Sequence, residues 1–240
     1  MASIGFTTGS LYRSNFSFDE IIKLYDLSGA DAIELSFATP SQFFEYELSE
    51  QSINNIKKFK SISIHAPWKE VRYSADSVTK NIIEKLKSFC DKFSVEGIVL
   101  HPDTIDDFGI LVDSGLPFLL ENMDKRKTFG THPDHFRELK RKYNFGFVLD
   151  IEHAYEHDSS MQLAKELIDV MGDRLKHMHV SGSSDSEIHV LTYCATNREA
   201  ITKILELNVS VPKILEGILL TDVDNSIIKE LAYVKKYEKK

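Results

Sequence analysis

The chain has 240 residues, which is long for one ordinary domain but close to the usual size of an eight-stranded α/β barrel. Hydrophobic residues make up 42% of it and charged residues 28%, as in soluble proteins that bury a large core. The net charge of −8 argues against a globally basic nucleic-acid-binding protein. There is no apolar run long enough to span a membrane, no signal-peptide pattern and no cysteine framework, so we expect a cytoplasmic protein.

Short apolar runs alternate with longer amphipathic stretches along the whole chain. The near-continuous apolar character of the short runs is typical of parallel strands that are buried on both faces. The predicted strands are 3–7, 32–37, 61–65, 97–101, 117–121, 145–150, 176–180 and 211–216. A capping-box pattern at Ser17 predicts that the first helix begins there. Further helices are predicted at 49–59, 77–93, 132–142, 161–170, 197–207 and 222–237, with a short, weak one at 105–112.

This alternation predicts one (β/α)8 barrel domain that covers residues 1–240. A doubly wound open sheet is the alternative. It is disfavoured because only Thr8-Gly9-Ser10 follows the first strand, rather than the glycine-rich turn of a dinucleotide-binding fold.

Six consecutive predicted strands end at, or close to, a residue able to bind a metal ion. These residues are His65, His101, Glu121, Asp150, His179 and Glu216. The carboxyl ends of barrel strands meet at one mouth, where active sites of this fold lie, so the six side chains should converge. Mixed imidazole and carboxylate ligands suit Zn²⁺, Mn²⁺, Fe²⁺ or Co²⁺. The sequence therefore predicts a divalent-metal site.

Two nearby motifs extend the candidate ligand set. His153 follows Asp150 by three residues, which one helical turn would bring to the same side. Glu187 and His189 are two residues apart, and an extended loop would direct both the same way. By contrast, we expect His177 to lie one layer deeper in the core. We expect Glu152 to point away from Asp150 and to be solvated or paired.

Other residues are candidates for substrate binding. Glu34 is a charge within a buried strand, which indicates either a structural ion pair or a wall of the active site. Lys125 and Arg126 follow Glu121 on a loop at the same mouth, where they could bind a phosphate or simply be solvated. Trp68 follows His65 and could stack on a base or sugar ring, or pack under its loop.

Several of these motifs together resemble a known superfamily. Ser-Ile-His65-Ala-Pro-Trp, Leu-His101-Pro, Leu-Glu121-Asn, Leu-Asp150-Ile-Glu-His153, Met-His179-Val and Leu-Glu216 are similar to the xylose-isomerase-like barrels, which include endonuclease IV and many sugar isomerases and epimerases. The resemblance to endonuclease IV implies three zinc ions. It implies as ligands His65, His101, Glu121, Asp150, His153, His179, His189 and Glu216, with Glu187 where that family has an aspartate. Trp68 stands where that family has a tyrosine that helps to distort DNA.

The sugar epimerases resemble the chain only in Glu121, Asp150, His179 and Glu216. That resemblance implies one metal ion, with Glu121 and Glu216 as the catalytic residues that move protons. Two functions therefore remain open. The first is a phosphoesterase with two to three divalent ions, Zn²⁺ or else Mn²⁺, acting on a phosphoester such as damaged DNA. The second is a one-metal isomerase or epimerase acting on a small sugar or sugar phosphate. A catalytically silent metal-binding barrel is a third interpretation.

Overall fold

Eight parallel strands form a closed barrel in which each strand pairs with its neighbours in chain order and β8 pairs with β1. The computed structural model describes residues 2–220 and 222–237. The strands are β1 (Ile4–Thr7), β2 (Ala32–Ser36), β3 (Ser61–His65), β4 (Gly97–Leu100), β5 (Phe118–Glu121), β6 (Gly146–Asp150), β7 (Leu175–Val180) and β8 (Lys213–Leu215). The predicted (β/α)8 barrel is confirmed.

Helices connect the strands and surround the barrel. They are α1 (Phe18–Leu27), α2 (Pro40–Glu45), α3 (Glu50–Ile56), α4 (Ser77–Cys90), α5 (Phe108–Ser114), α6 (Pro133–Lys142), α7 (Ile151–His157), α8 (Gln162–Met171), α9 (Arg198–Leu205) and α10 (Val223–Lys235). The predicted capping box is present, because Ser17 and Glu20 bond each other's backbone N–H groups. Helices α2 and α7 were not predicted. No helix of the described residues is long and apolar enough to cross a membrane.

Successive strand residues alternate between the two faces of the sheet. In β4 to β6, Ile98, Leu120 and Leu149 belong to the large core that packs between the sheet and the helices. Val99, Leu119 and Val148 form a separate small cluster, which places them inside the barrel. Alternation therefore sorts the residues of these three strands into an outer and an inner set, and among the described strands an irregularity in register occurs only where β6 pairs with the start of β7.

The inner set leads directly to the candidate ligands. His101, Glu121 and Asp150 each follow a member of the inner apolar cluster by two residues, so their side chains point to the barrel axis one layer nearer the carboxyl end. The strand register brings the others to the same level, since Asp150 pairs with His179. The fold thus collects the candidate ligands at one mouth of the barrel.

Candidate metal centre

Glu121 lies at the centre of the mouth and its two carboxylate oxygens face different neighbours. Oε2 is 3.3 Å from Nε2 of His65 and 3.5 Å from Nε2 of His101. Oε1 is 3.1 Å from Nδ1 of His179 and 3.5 Å from Nδ1 of His153. Glu121 is 1% exposed, so these contacts replace solvent. A carboxylate in this position can bridge two cations.

The candidate ligands form three groups, within each of which the ligand atoms lie no more than 4.8 Å apart. The first group is His65, His101 and Glu121, the second group is Glu121, Asp150, His179 and Glu216, and the third group is Glu152, His153 and His189. Glu121 belongs to both the first and the second group. Eight of the nine ligands expected from the sequence are brought together in this way, and Glu152 joins them.

The start of α7 positions the third group. Asp150 ends β6 and is the N-cap of this helix, where its Oδ1 accepts a hydrogen bond from the backbone N–H of His153. The imidazole of His153 is held by a 2.9 Å contact from Nδ1 to the carbonyl oxygen of Asn122. This contact leaves Nε2 of His153 as the ring nitrogen available for a metal ion.

His189 is positioned by a hairpin of residues 182–190, in which Gly182 and Val190 exchange backbone hydrogen bonds. His189 has the left-handed φ of 54°, which is uncommon outside glycine and indicates a backbone held by its surroundings. Its Nδ1 lies 3.2 Å from Oγ of Ser181. The hairpin therefore holds the His189 imidazole over the barrel mouth.

Glu187 lies in the same hairpin but apart from the other expected ligands. Its side chain is 54% exposed, and its Oε1 is 4.0 Å from a guanidinium nitrogen of Arg13. The structure does not bring Glu187 into any of the three groups. The tight turn that hydrogen-bonds Ser184 to the carbonyl of Glu187 directs the Glu187 side chain outward, while His189 points inward.

The expectation that Glu152 is solvated or paired is wrong. Glu152 is 0% exposed, and neither carboxylate oxygen has a hydrogen-bond partner. Burial, with Asp150 nearby, raises the pKa of Glu152 to about 8. The expected helical turn after Asp150 is present as the start of α7, but Glu152 is enclosed there by His153, His189 and the 182–190 hairpin instead of facing solvent.

Below the second group lies a deeper contact between Glu34, His177 and His179. The carboxylate oxygens of Glu34 are 3.3 Å from Nε2 of His179 and 3.4 Å from Nε2 of His177, and Oε2 accepts a hydrogen bond from Ser63. Glu34 and His179 are each 0% exposed. Because Glu34 occupies Nε2 of His179, Nδ1 is the nitrogen that faces Glu121 and Glu216. His177 is buried one layer deeper, as expected.

The candidate substrate-binding residues differ in whether their side chains are already paired with other groups of the protein. Trp68 is half-buried beside the first group, with its ring 4.5 Å from that of His65 and 5.6 Å from that of His101. Lys125 is exposed and lines a cavity of about 580 Å³ together with the tip of the 182–190 hairpin. The guanidinium of Arg126 is already paired with Asp124 at 2.8 Å. Lys125 and Trp68 are therefore the better placed for a ligand.

Ion pairs between buried carboxylates and histidines dominate the electrostatics of the site. Every ion pair that the carboxylates of the second group make within residues 2–220 and 222–237 is with a histidine. Burial alone would lower the pKa of His179, but Glu216, Glu34 and Glu121 outweigh it and raise that pKa well above its ordinary value. In the same way, Asp150 and Glu121 raise the pKa of His153 to about 9. The protonated forms of His179 and His153 are therefore favoured, and their positive charge would balance part of the carboxylate charge.

The pKa values of the two expected catalytic glutamates are shifted in opposite directions. Burial raises the pKa of Glu216 well above its usual range, with Asp150 and Glu121 adding to the effect and His179 opposing it. Burial also acts on Glu121, but His179 and hydrogen bonds from His101 and His65 outweigh it and lower the pKa well below the usual range. The surroundings therefore favour the protonated form of Glu216 and the ionised form of Glu121.

The donor set fits divalent cations. Imidazole nitrogens and carboxylate oxygens occur together in each group, which is the ligand chemistry of zinc and manganese. Several buried donor atoms also have no hydrogen-bond partner, namely Oδ2 of Asp150, both carboxylate oxygens of Glu152 and Nδ1 of His101. Buried polar atoms without partners are rare, and a cation would satisfy the carboxylates among them.

Comparison with solved structures identifies the type of barrel. The chain is similar to endonuclease IV from Thermus thermophilus, with 16% identity, a TM-score of 0.71 and 98% of both chains covered. It is also similar to a D-tagatose 3-epimerase-like protein, with 18% identity, a TM-score of 0.70 and coverage of 98% of this chain and 96% of the other. The chain has the xylose-isomerase-like barrel fold.

A third similar structure with this xylose-isomerase-like barrel fold is an AP endonuclease, family 2, from Brucella melitensis, with 13% identity, a TM-score of 0.67 and complete coverage of both chains. No protein-family model matches the sequence, and no curated protein is significantly similar to it. The similar structures include enzymes named for two different activities, so the site geometry has to separate them.

Proposed function

We propose that this protein is a phosphoesterase that uses two or three divalent cations and acts on a phosphodiester such as abasic-site DNA. The observation that carries the proposal is the position of Glu121. Its Oε2 faces His65 and His101, while its Oε1 faces His179 and His153. A carboxylate shared by two cation sites would have this arrangement, whereas a single cation in the second group leaves His65 and His101 without a role.

In this proposal His65, His101 and Glu121 hold one cation, and Glu121, Asp150, His179 and Glu216 hold another. When bound, the cations supply a water of lowered pKa and neutralise the charge that develops on the phosphoryl group. Glu121 fixes the spacing of the two sites. Glu34 keeps Nδ1 of His179 turned toward the carboxylates.

The surroundings supply contacts for the rest of the substrate. Trp68 offers an aromatic surface beside the first group, which suits a base or sugar ring that has left its stack. Lys125 supplies an exposed positive charge at the rim of the mouth, where a flanking phosphate would lie. These contacts allow an acidic protein to bind an anionic ligand locally.

A sugar isomerase or epimerase is the second candidate, and one observation favours it. The pKa of Glu216 is raised and that of Glu121 is lowered, which suits an acid and a base that move protons on either side of a substrate. The second group alone would hold the one cation that such an enzyme needs. The phosphoesterase proposal also gives His65 and His101 a role as cation ligands, which the one-metal enzyme does not.

The double substitution His65→Ala, His101→Ala separates the two functions. In a phosphoesterase it removes the first cation, so cleavage should fall at least ~10³-fold while one ion stays in the second group. The assay uses an abasic-site duplex, a generic phosphodiester, and a panel of ketoses, aldoses and their phosphates. The matched control is His132→Ala, His135→Ala at the start of α6, outside all the groups.

Metal-dependent cleavage of the duplex or the phosphodiester by the wild type, lost in the double variant and kept in the control, is the expected result. If only a sugar is converted, and the double variant still converts it, the phosphoesterase proposal is wrong and the epimerase stands.

A further inference from the structure

The third group contains a carboxylate that the resemblance to endonuclease IV does not assign. That resemblance directs attention to Glu187, which here is 54% exposed and lies beside Arg13. Glu152 instead lies beside the two histidines of this group, with a carboxylate oxygen within 4.8 Å of the ligand nitrogens of His153 and His189. The chain therefore draws its third carboxylate from the start of α7 and not from the 182–190 hairpin.

Glu152 differs from the neighbouring carboxylates of Asp124 and Glu156, because both of those have partners. Asp124 is paired with Arg126, and Glu156 accepts a hydrogen bond from the backbone N–H of Lys125. Both oxygens of Glu152 are buried with no hydrogen bond among the described residues. Burying a carboxylate without a partner is strongly unfavourable, so a residue in this state normally serves a cation or a ligand.

Asp150 adds a second unpartnered oxygen at the same place. Its Oδ1 accepts the N–H of His153, while its Oδ2 is buried without a hydrogen bond and lies 3.6 Å from Nδ1 of His153. Asp150 thus stands between the second group and the third group, as Glu121 stands between the first and the second. A cation bound here would neutralise the unpartnered oxygens of both Asp150 and Glu152.

We propose that Glu152, His153 and His189 form a third divalent-cation site, next to Asp150, in which Glu152 is the carboxylate ligand and Glu187 takes no part. One carboxylate and two imidazoles suit a zinc-like ion and leave a position open for water or substrate. This inference rests on the proposed multinuclear function and adds a ligand to it. It also makes the tip of the 182–190 hairpin free to vary without loss of metal.

The test compares Glu152→Gln with Glu187→Gln, which are isosteric changes of the same residue type. Each protein is loaded with Zn²⁺, freed of excess metal by gel filtration and analysed for zinc per folded chain. A second readout is the visible absorption of the Co²⁺-substituted protein, which reports loss of a site without any assay of activity. Glu152→Gln should lose one ion relative to the wild type, and Glu187→Gln should lose none.

His189→Ala is the positive control and should lose the same ion as Glu152→Gln. Folding is followed by the thermal transition of the metal-free proteins, and Glu152→Gln should melt close to the wild type, because the carboxyl group that it replaces has no hydrogen-bond partner to lose. A wild type that holds several ions, with Glu152→Gln unchanged or Glu187→Gln depleted by one, overturns this inference alone. A wild type that holds a single ion overturns both it and the proposed function.

Discussion

On the outer face of the barrel, residues such as Ile98, Leu120 and Leu149 join one large apolar core with the helices. On the inner face, Val99, Leu119 and Val148 form only a small apolar cluster, and the next layer toward the carboxyl end is made of imidazoles and carboxylates. The same strands supply both faces, one residue apart.

The difference indicates how the chain divides stability from chemistry. Apolar burial between sheet and helices is the main favourable contribution to folding, and it leaves the inner face free to carry groups that oppose folding when no cation is bound. Substitutions on the outer face should therefore change stability without changing metal content. Substitutions on the inner face should change the metal content with little change in stability.

The largest expected effect comes from Glu121→Gln. Removing the charge shared by the first and second groups should lower the metal content and reduce activity at least ~10³-fold. Zinc analysis and the phosphodiester assay measure the two effects. Glu230→Gln, a buried glutamate that accepts backbone N–H groups of Thr192 and Tyr193 outside the groups, is the matched control. Full metal content with full activity in Glu121→Gln would contradict the assigned role in either function.

On the outer face, Leu149→Ala should lower the free energy of unfolding by ~2–5 kcal/mol, since it leaves a cavity in the core. Leu149 adjoins Asp150 in β6 but points the opposite way. Denaturant unfolding of the metal-free protein measures the loss, and metal analysis of the folded variant should give the wild-type stoichiometry. A loss of ions at unchanged stability would show that the two faces are not independent.

A smaller effect is expected for Glu34→Gln in the layer beneath the second group. Glu34 orients His179 through a 3.3 Å contact to Nε2, so its replacement should weaken metal binding in the second group ~10–100-fold. Competition with a chromophoric chelator measures the affinity. Ser63→Ala, which removes only the hydrogen bond to Glu34, should have a milder effect in the same direction. Equal affinity in wild type and Glu34→Gln would make Glu34 a purely structural charge.

The metal-free protein should lose stability as the pH rises from about 6 to about 9. The pKa of Glu152 is raised to about 8, so the unfolded chain releases this proton before the folded chain does, and stability falls as pH rises toward 8. The pKa of His153 is raised to about 9, so its contribution is complete below the ordinary histidine pKa and is lost as pH rises through 9. Both effects have the same sign.

A fall of at least ~4 °C in the Tm of the metal-free protein over this range is the expected magnitude. The zinc-loaded protein should show a smaller fall or a rise, because metal binding requires the deprotonated groups. Glu152→Gln should retain only the part due to His153. A metal-free Tm that rises with pH would show that these two groups do not hold protons in the folded state.

Most of the fold was accessible from the sequence, because strands buried on both faces leave a strong apolar signal. The predicted start of β3 at residue 61 and its end at His65 are those of the structure. The weak helix predicted at 105–112 begins later, at Phe108, because a 3₁₀ turn at Pro102–Thr104 and an extended segment occupy the preceding residues.

The strand-end ligands were predictable for the same reason, since the register of a barrel brings strand ends together. The third group was only partly predictable from the sequence. Asp150-Ile-Glu152-His153 contained the signal, and a helical turn after Asp150 was expected. The burial of Glu152, however, depends on the 182–190 hairpin and His189, which are distant in sequence. Likewise, only the turn within the 182–190 hairpin decides that His189 faces the mouth and Glu187 does not.

The most direct test of the account is the number of metal ions bound by the wild-type chain. The protein is produced in medium supplemented with zinc and manganese, purified without chelators, and analysed for metal per chain by mass spectrometry of the elements. We expect more than one ion per chain and, with the third group filled, three. A stoichiometry of one ion or fewer would contradict it.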